Sequence, residues 1–363
     1  MFMNKIKDTT HSSFNTGNLS NGCKMCVVGK KLVLFITGAC PRKCWYCPVS
    51  DNKIQHDVIY ANESNIFNVD EAINEAKLCN SSGMGVTGGD PLTKVNRVSD
   101  YIKAFKKEFG KKFHVHLYTS FDLVNEKNLE ILYSSGLDEI RFHPDLNDDS
   151  KWNRILLAEK FDWDVGIEIP CIPDMIKETM YVIKYFKDKV DFFNLNELEA
   201  ADVSKNLVFD KGYKSKDFLS YGIKGSEELA FVIMKKFNDL NIHFCTSRLK
   251  NIEQLGNRIK LRAKNIKKDY DIITRGGSLI RGAVYLKKNN NPDYKTHNLE
   301  DLKNFLDKSL NNDFDIDIRK NRLLCSKSFI KKNKSYLKNL GLYPAVVEEL
   351  ATSDLFEIEI DFL

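Results

Sequence analysis

Leu32-Val33-Leu34-Phe35-Ile36-Thr37-Gly38-Ala39-Cys40-Pro41-Arg42-Lys43-Cys44-Trp45-Tyr46-Cys47 opens with a continuous apolar run and closes on a Cys-x3-Cys-x2-Cys loop. An apolar run of that length, stopped by a glycine, predicts a strand covered on both faces, as the strands of parallel sheets are. Cysteines released just beyond such a strand sit where β/α folds gather their reactive groups, at the carboxyl ends of the strands.

Outward from this stretch, strand-like and helix-like runs alternate. Strands are expected at 32–37, 84–87, 113–119, 139–143, 165–169, 191–195 and 242–245. One helix is expected to open at Asn68, whose cap Glu71 would complete, another to close at Gly110, and further ones at 126–134, 151–160, 177–187 and 227–240. The alternation places the chain in the α/β class, as a full or partial parallel β/α barrel over 31–250 with a longer insertion around 203–225. Residues 1–30 read as an N-terminal extension carrying Cys23-x2-Cys26, and 251–363 as a small mixed α+β C-terminal domain. In that domain a hairpin is expected to turn at Gly276-Gly277, and 287–291 with Pro292 reads as a loop or hinge.

At 363 residues there is room for both parts, and a formal charge of +5 spread over 55 basic and 50 acidic side chains singles out no partner. Residues 1–21 lack the apolar core of a secretory signal, and no apolar run approaches membrane-spanning length, so a cytoplasmic, membrane-free protein is expected. Five of the nine cysteines fall between Cys23 and Cys47, which without a secretory signal points to metal rather than to disulfides.

A [4Fe–4S] cluster takes four thiolates, so Cys40, Cys44 and Cys47 would leave one iron open to a small molecule. The loop, with Tyr46 before its last cysteine, resembles that of the radical S-adenosylmethionine (SAM) superfamily. Within it the chain is most similar to the archaeal group related to pyruvate formate-lyase activating enzyme. The resemblance implies a barrel of the radical SAM type, a [4Fe–4S] cluster on those three cysteines, and SAM on the open iron. It further implies reductive cleavage to a 5′-deoxyadenosyl radical that abstracts hydrogen from a substrate, with a reductant such as ferredoxin or flavodoxin as partner.

Gly88-Gly89-Asp90 resembles the family's Gly-Gly-Glu segment, with the acid one methylene shorter. It implies SAM binding by Gly88, Gly89 and Asp90, with Ser120 and Gly166 expected to help from later strands. A branched side chain at Gly89 is expected to block the cofactor while sparing the cluster. Glu168, Asn196, Glu197 and Glu199, late in the fifth and sixth strands, are the candidates for orienting substrate. That substrate is left open among a protein, a tRNA and a metabolite.

Three other patterns carry competing readings. Cys23, Cys26, Cys44 and Cys47 also spell the spacing of a zinc ribbon, which would make this a nucleic-acid-binding protein without catalysis; it leaves Cys40 idle and Gly88–Asp90 unexplained. Cys23 and Cys26 could instead hold half of a second metal site completed by Cys171, Cys245 or His243. Residues 248–268 carry Arg248, Lys250, Arg258, Lys260 and Arg262 among other bases, a density suited to RNA or to a solvated helix face. His114 and His116 share one face of the third strand, as substrate contacts or as packed histidines.

Overall fold

The computed structural model describes residues 5–218, 220–286 and 299–363. The loop or hinge expected at 287–291 lies outside them. The chain divides into two compact units, Met1–Arg258 and Ile259–Leu363.

The first unit is built on one sheet. Strands β1 (Lys7–Asp8) and β2 (Phe14–Thr16) form a hairpin, and helix α1 (Asn21–Val27) follows. The apolar run before the cysteine loop becomes β3 (Lys31–Phe35), followed by a second hairpin, β4 (Ile59–Ala61) and β5 (Ser64–Ile66). Then come α2 (Val69–Leu78), β6 (Gly83–Thr87), α3 (Val95–Phe109), β7 (His114–Ser120), α4 (Glu126–Ser135) and β8 (Glu139–His143). The unit continues through β9 (Asp164–Cys171), α5 (Ile176–Phe186), β10 (Phe192–Glu197), α6 (Ser226–Lys236) and β11 (Ile242–Cys245). Asn68 caps α2 by accepting from the Glu71 amide, and Glu71 accepts from the Phe67 amide in return.

Seven strands, β3, β6, β7, β8, β9, β10 and β11, pair in parallel and in chain order. The antiparallel hairpins cover the two ends, β4–β5 beside β3 and β1–β2 beside β11, so among the described residues the sheet does not close on itself. This is a partial barrel. Residues 5–30, expected as an extension, are built into it. Covering the edges suits a parallel sheet whose terminal strands would otherwise expose unpaired amides and carbonyls.

The expected helix at 151–160 is a run of 3-10 turns, Trp152–Lys160. Its buried residues, Trp152, Ile155 and Ala158, recur every third position, the period of a 3-10 turn and not of an α-helix.

Alternation divides each parallel strand into two faces. The outward face, including Leu32, Leu34, Val86, Leu117, Ile140, Ile167, Leu195 and Phe244, packs under the helices in one apolar core. The lumen face is polar. It carries Lys31, His116, Tyr118, Arg141, Glu168, Asn194, Asn196 and His243, where barrels more often stack branched aliphatic side chains. Gly85 makes room for it, since a Cβ there would stand 2.6 Å from the His116 ring.

In the second unit, α7 (Leu255–Ile266) crosses the division; β12 (Ile272–Ile273) and β13 (Leu279–Tyr285) form the expected hairpin around Gly276-Gly277. With α8 (Leu299–Leu310), β14 (Asp315–Asp317), β15 (Arg322–Cys325), α9 (Lys327–Asn339), β16 (Tyr343–Glu349) and β17 (Glu357–Phe362) it forms a mixed sheet-and-helix body, strand order β14-β15-β13-β16-β17. Arg322, fully buried, is held by Glu349, Asp317 and Glu357. Arg262 turns inward to the Ala351 carbonyl and, in the first unit, Arg258 pairs with Glu63 and Lys250 with Glu199. Two bases of the 248–268 run, Arg258 and Arg262, are thereby buried.

Candidate active site

Cys40, Cys44 and Cys47 lie on the loop that leaves the carboxyl end of β3, all half-buried, while the other six cysteines are buried. Gly38 turns the chain into this loop: its amide donates to the His56 carbonyl, and a Cβ would sit 1.6 Å from the Lys53 carbonyl oxygen. The loop is pinned at several points. Arg42 donates to the His143 carbonyl (2.8 Å) and pairs with Asp145 (2.9 Å), and Gln55 donates to the Cys40 carbonyl. From the insertion after β10, the Leu207 amide donates to the Trp45 carbonyl (2.7 Å) and Tyr213 stacks on Trp45 at 5.7 Å. The expected insertion is thus a strap over the cysteine loop.

Burial pushes the Cys40 thiol up to about 11, with Asp90, Cys44 and Cys47 adding negative potential, and burial likewise raises Cys47. Thiols crowded in this way repel one another as thiolates until a cation joins them, so the donor set fits an iron–sulfur cluster whose assembly releases protons. Among the described residues the one group of three metal-binding side chains gathered within 4.8 Å lies elsewhere, so the three sulfurs are not drawn together as ligands of a single ion are.

Gly88 and Gly89 follow β6 and press against the same loop. The Gly89 amide donates to the Thr37 carbonyl and the Asp90 amide to that of Ala39, both at 2.8 Å. A Cβ on Gly89 would come within 2.5 Å of the carbonyl oxygens of Gly38 and Ala39. The expectation that a branched residue there would spare the cluster is corrected: it would displace the backbone leading into Cys40.

Asp90 is buried, and its carboxylate already accepts four hydrogen bonds: from the Leu92 amide, the Thr119 hydroxyl, and the amide and hydroxyl of Ser120. Burial nevertheless raises its pKa. Ser120 is engaged in the same network. Both tie the ends of β6 and β7 together beneath the glycines.

At the end of β8, the His143 Nδ1–H donates to the Glu168 carbonyl (2.7 Å), so Nε2 is the acceptor of the Tyr46 hydroxyl (2.9 Å). Burial lowers its pKa to about 4, helped by Arg42, which keeps the ring neutral. In the lumen below, Glu168 accepts from Arg141 (2.9 Å), Asn194 (2.9 Å) and Asn196 (3.0 Å). Burial opposes its charge, but Arg141 and the two amides outweigh it and lower its pKa. Glu199 pairs with Lys250 at 2.7 Å near the same mouth. A cavity of about 310 Å³ opens beside the loop, bounded by Arg42, Cys44, Tyr46, Phe121, Asp122 and Ile172.

Two expected site residues are elsewhere. Gly166 is low in β9, where a Cβ would meet the Phe192 ring at 2.3 Å; it is a packing glycine. Glu197 points to the other face of β10 from Asn196, and accepts from Lys216 and from the Ser247 amide and hydroxyl. Its parity along the strand could have shown this. Arg141 was missed, though Glu139, Arg141 and His143 at alternate positions of one buried strand are the sequence mark of a polar lumen.

The zinc-ribbon reading fails on position. Cys23 and Cys26 lie on α1 at the amino-terminal end of the barrel, the length of β3 away from Cys44 and Cys47. The Cys23 sulfur meets Asn194 (3.3 Å) and Arg141 (3.5 Å); burial raises its pKa, but Arg141 and His243 outweigh that and bring it to about 6. Cys171 faces the outer core instead.

The radical SAM superfamily profile matches residues 34–189. A protein of Methanocaldococcus jannaschii, provisionally named a glycyl-radical enzyme activating enzyme, is 41% identical over 360 residues, covering 95% of this chain and 93% of its own. Among solved structures, methylornithine synthase is 13% identical over 58% of this chain and 63% of its own, with a TM-score of 0.41. The radical SAM methyltransferase of Kitasatospora setae with tryptophan bound is 8% identical over 51% and 40%, with a TM-score of 0.35. With the three-cysteine loop at the carboxyl end of a parallel sheet and a full-length relative at this identity, the chain belongs to the radical SAM superfamily, whose enzymes use a [4Fe–4S] cluster and SAM to abstract hydrogen.

Proposed function

We propose that this enzyme abstracts a hydrogen atom from the backbone of a partner protein, at a glycine, and so activates a glycyl-radical enzyme. The observation that carries the reading is the 41% identity, across nearly the whole of both chains, to a relative named for that activity. The lumen mouth supports it: Asn196 donates to Glu168 and keeps its carbonyl oxygen, and Glu168, which accepts from Arg141, Asn194 and Asn196, keeps one acceptor position, groups that pair with peptide N–H. No helix among the described residues is long and apolar enough to cross a membrane.

Cys40, Cys44 and Cys47 would hold the cluster, and Gly88 and Gly89, packed against the loop that carries Cys40, would lie beside the cofactor. The cluster and SAM together supply, when bound and reduced by one electron from a ferredoxin- or flavodoxin-like donor, a primary carbon radical. Asp90 and Ser120 act as positioning residues, because the acceptor capacity of that carboxylate is taken up in joining β6 to β7. Tyr46 and neutral His143 brace the loop above the lumen. Glu168, Asn196 and Glu199 orient the peptide.

The test is anaerobic incubation of the iron-loaded enzyme with reductant, SAM and a glycyl-radical partner from the same cell. A glycine-centred electron paramagnetic resonance signal in the partner is expected with wild type and not with Cys44→Ala. Formation of 5′-deoxyadenosine with no radical in any protein partner would sink the protein-substrate reading while leaving the chemistry intact.

A further inference from the structure

The amino-terminal end of the barrel holds a second set of donors. His114, Glu139 and Asp164 are the first residues of β7, β8 and β9, and a ligand atom from each lies within 4.8 Å of the others. We propose that these three side chains form a site for one divalent transition-metal ion, such as Mn2+, Fe2+ or Zn2+, separate from the cluster.

Both ring nitrogens of His114 are buried and have no hydrogen-bond partner. Leaving buried polar atoms unsatisfied costs about 1–3 kcal/mol each, so such an arrangement calls for a missing partner. His114 Nε2 stands 3.5 Å from Glu139 Oε2. That exceeds a good hydrogen bond, yet two N/O ligands on a tetrahedral ion at ~2.1 Å are themselves separated by ~3.4 Å. Burial also lowers the His114 pKa, which favours the neutral ring a metal needs. Arg141 holds the other oxygen of Glu139, Oε1, at 2.5 Å and leaves Oε2 on the His114 side, while Asp164 is raised, first by burial and then by the neighbouring Glu139 and Asp191. One imidazole and two carboxylates suit Mn2+, Fe2+ or Zn2+ rather than a thiophilic ion.

The same carboxylates seat α1. The Gly22 amide donates to Glu139 Oε2 (3.0 Å), and Asn21 donates to Asp164 (3.3 Å). An ion here would staple the plug that carries Cys23 and Cys26 to three strands of the barrel.

Mn2+ is the probe, because it prefers oxygen and nitrogen donors and so passes over the nine cysteines. Titration of the cluster-loaded full chain, followed by the resonance of free Mn2+, is expected to show one tight site. His114→Gln and Asp164→Asn should each weaken it by at least about tenfold with iron content unchanged. Mn2+ should raise the thermal midpoint of wild type and not of the variants. Asp164 is half-buried at the rim, so its variant keeps the test readable if His114→Gln fails to fold. Equal Mn2+ binding by wild type and Asp164→Asn, or no binding by wild type together with equal Zn2+ content in the two, overturns the site.

Discussion

The two ends of the parallel sheet are built by different means. At the carboxyl end, backbone meets backbone: the amides of Gly89 and Asp90 bond to the carbonyls of Thr37 and Ala39, and glycines at 38, 88 and 89 leave no space for a Cβ. At the amino end, side chains meet a helix: α1 is held in the lumen by Glu139, Arg141, Asp164 and Asn194. The contrast teaches where each end is vulnerable. Backbone-built sites fail through added volume, whereas networks of buried charge fail through removal of one partner.

The largest expected effect is at the carboxyl end. Alanine at Cys40, Cys44 or Cys47 should abolish the cluster, read as iron and sulfide per chain, because a second open iron makes it labile. Full iron content in any of the three would remove the basis for the site. Gly89→Val should also lower iron content, through the clash with the Gly38 and Ala39 carbonyls, and with it 5′-deoxyadenosine formation. A normal cluster in this variant would mean that the loop yields more than its packing suggests.

At the amino end, Arg141→Met should cost about 3–5 kcal/mol in urea unfolding, since it strands the buried carboxylates of Glu139 and Glu168. A loss below about 1 kcal/mol would show that the lumen network is not a unit. A pH series separates the ends less sharply. His143 has a folded pKa of about 4 against an ordinary value near ~6.5, so on acidification the unfolded chain takes up its proton first. Its contribution is complete above pH ~6.5 and is lost as pH falls toward ~4, by at most ~3 kcal/mol. His116, also lowered by burial, acts with the same sign at the other end. His143→Gln should flatten part of that slope. The smallest effect is expected away from both ends: Asn68→Ala removes the cap of α2 and should cost about 1 kcal/mol without changing iron content.

What the sequence determined by itself is local. The spacing of Cys40, Cys44 and Cys47, the glycine pair after β6 and the alternation of strand with helix are each read within a few residues, and they locate the cluster loop and the parallel sheet. The docking of the two hairpins on the sheet edges, the partners that hold Arg141 and the seating of α1 were not visible, because each depends on residues distant in the chain. Cys23 and Asn194 are 171 residues apart, and Arg141 and Ser20 are 121 apart. Glu168 and Glu197 show the limit most plainly. Both are acids late in neighbouring strands, yet Glu168 faces the lumen beside Arg141 while Glu197 faces outward and caps the turn at Ser247. Strand parity and register assign the two acids to opposite faces of the sheet, and only the assembled tertiary structure brings each the partners that hold its charge.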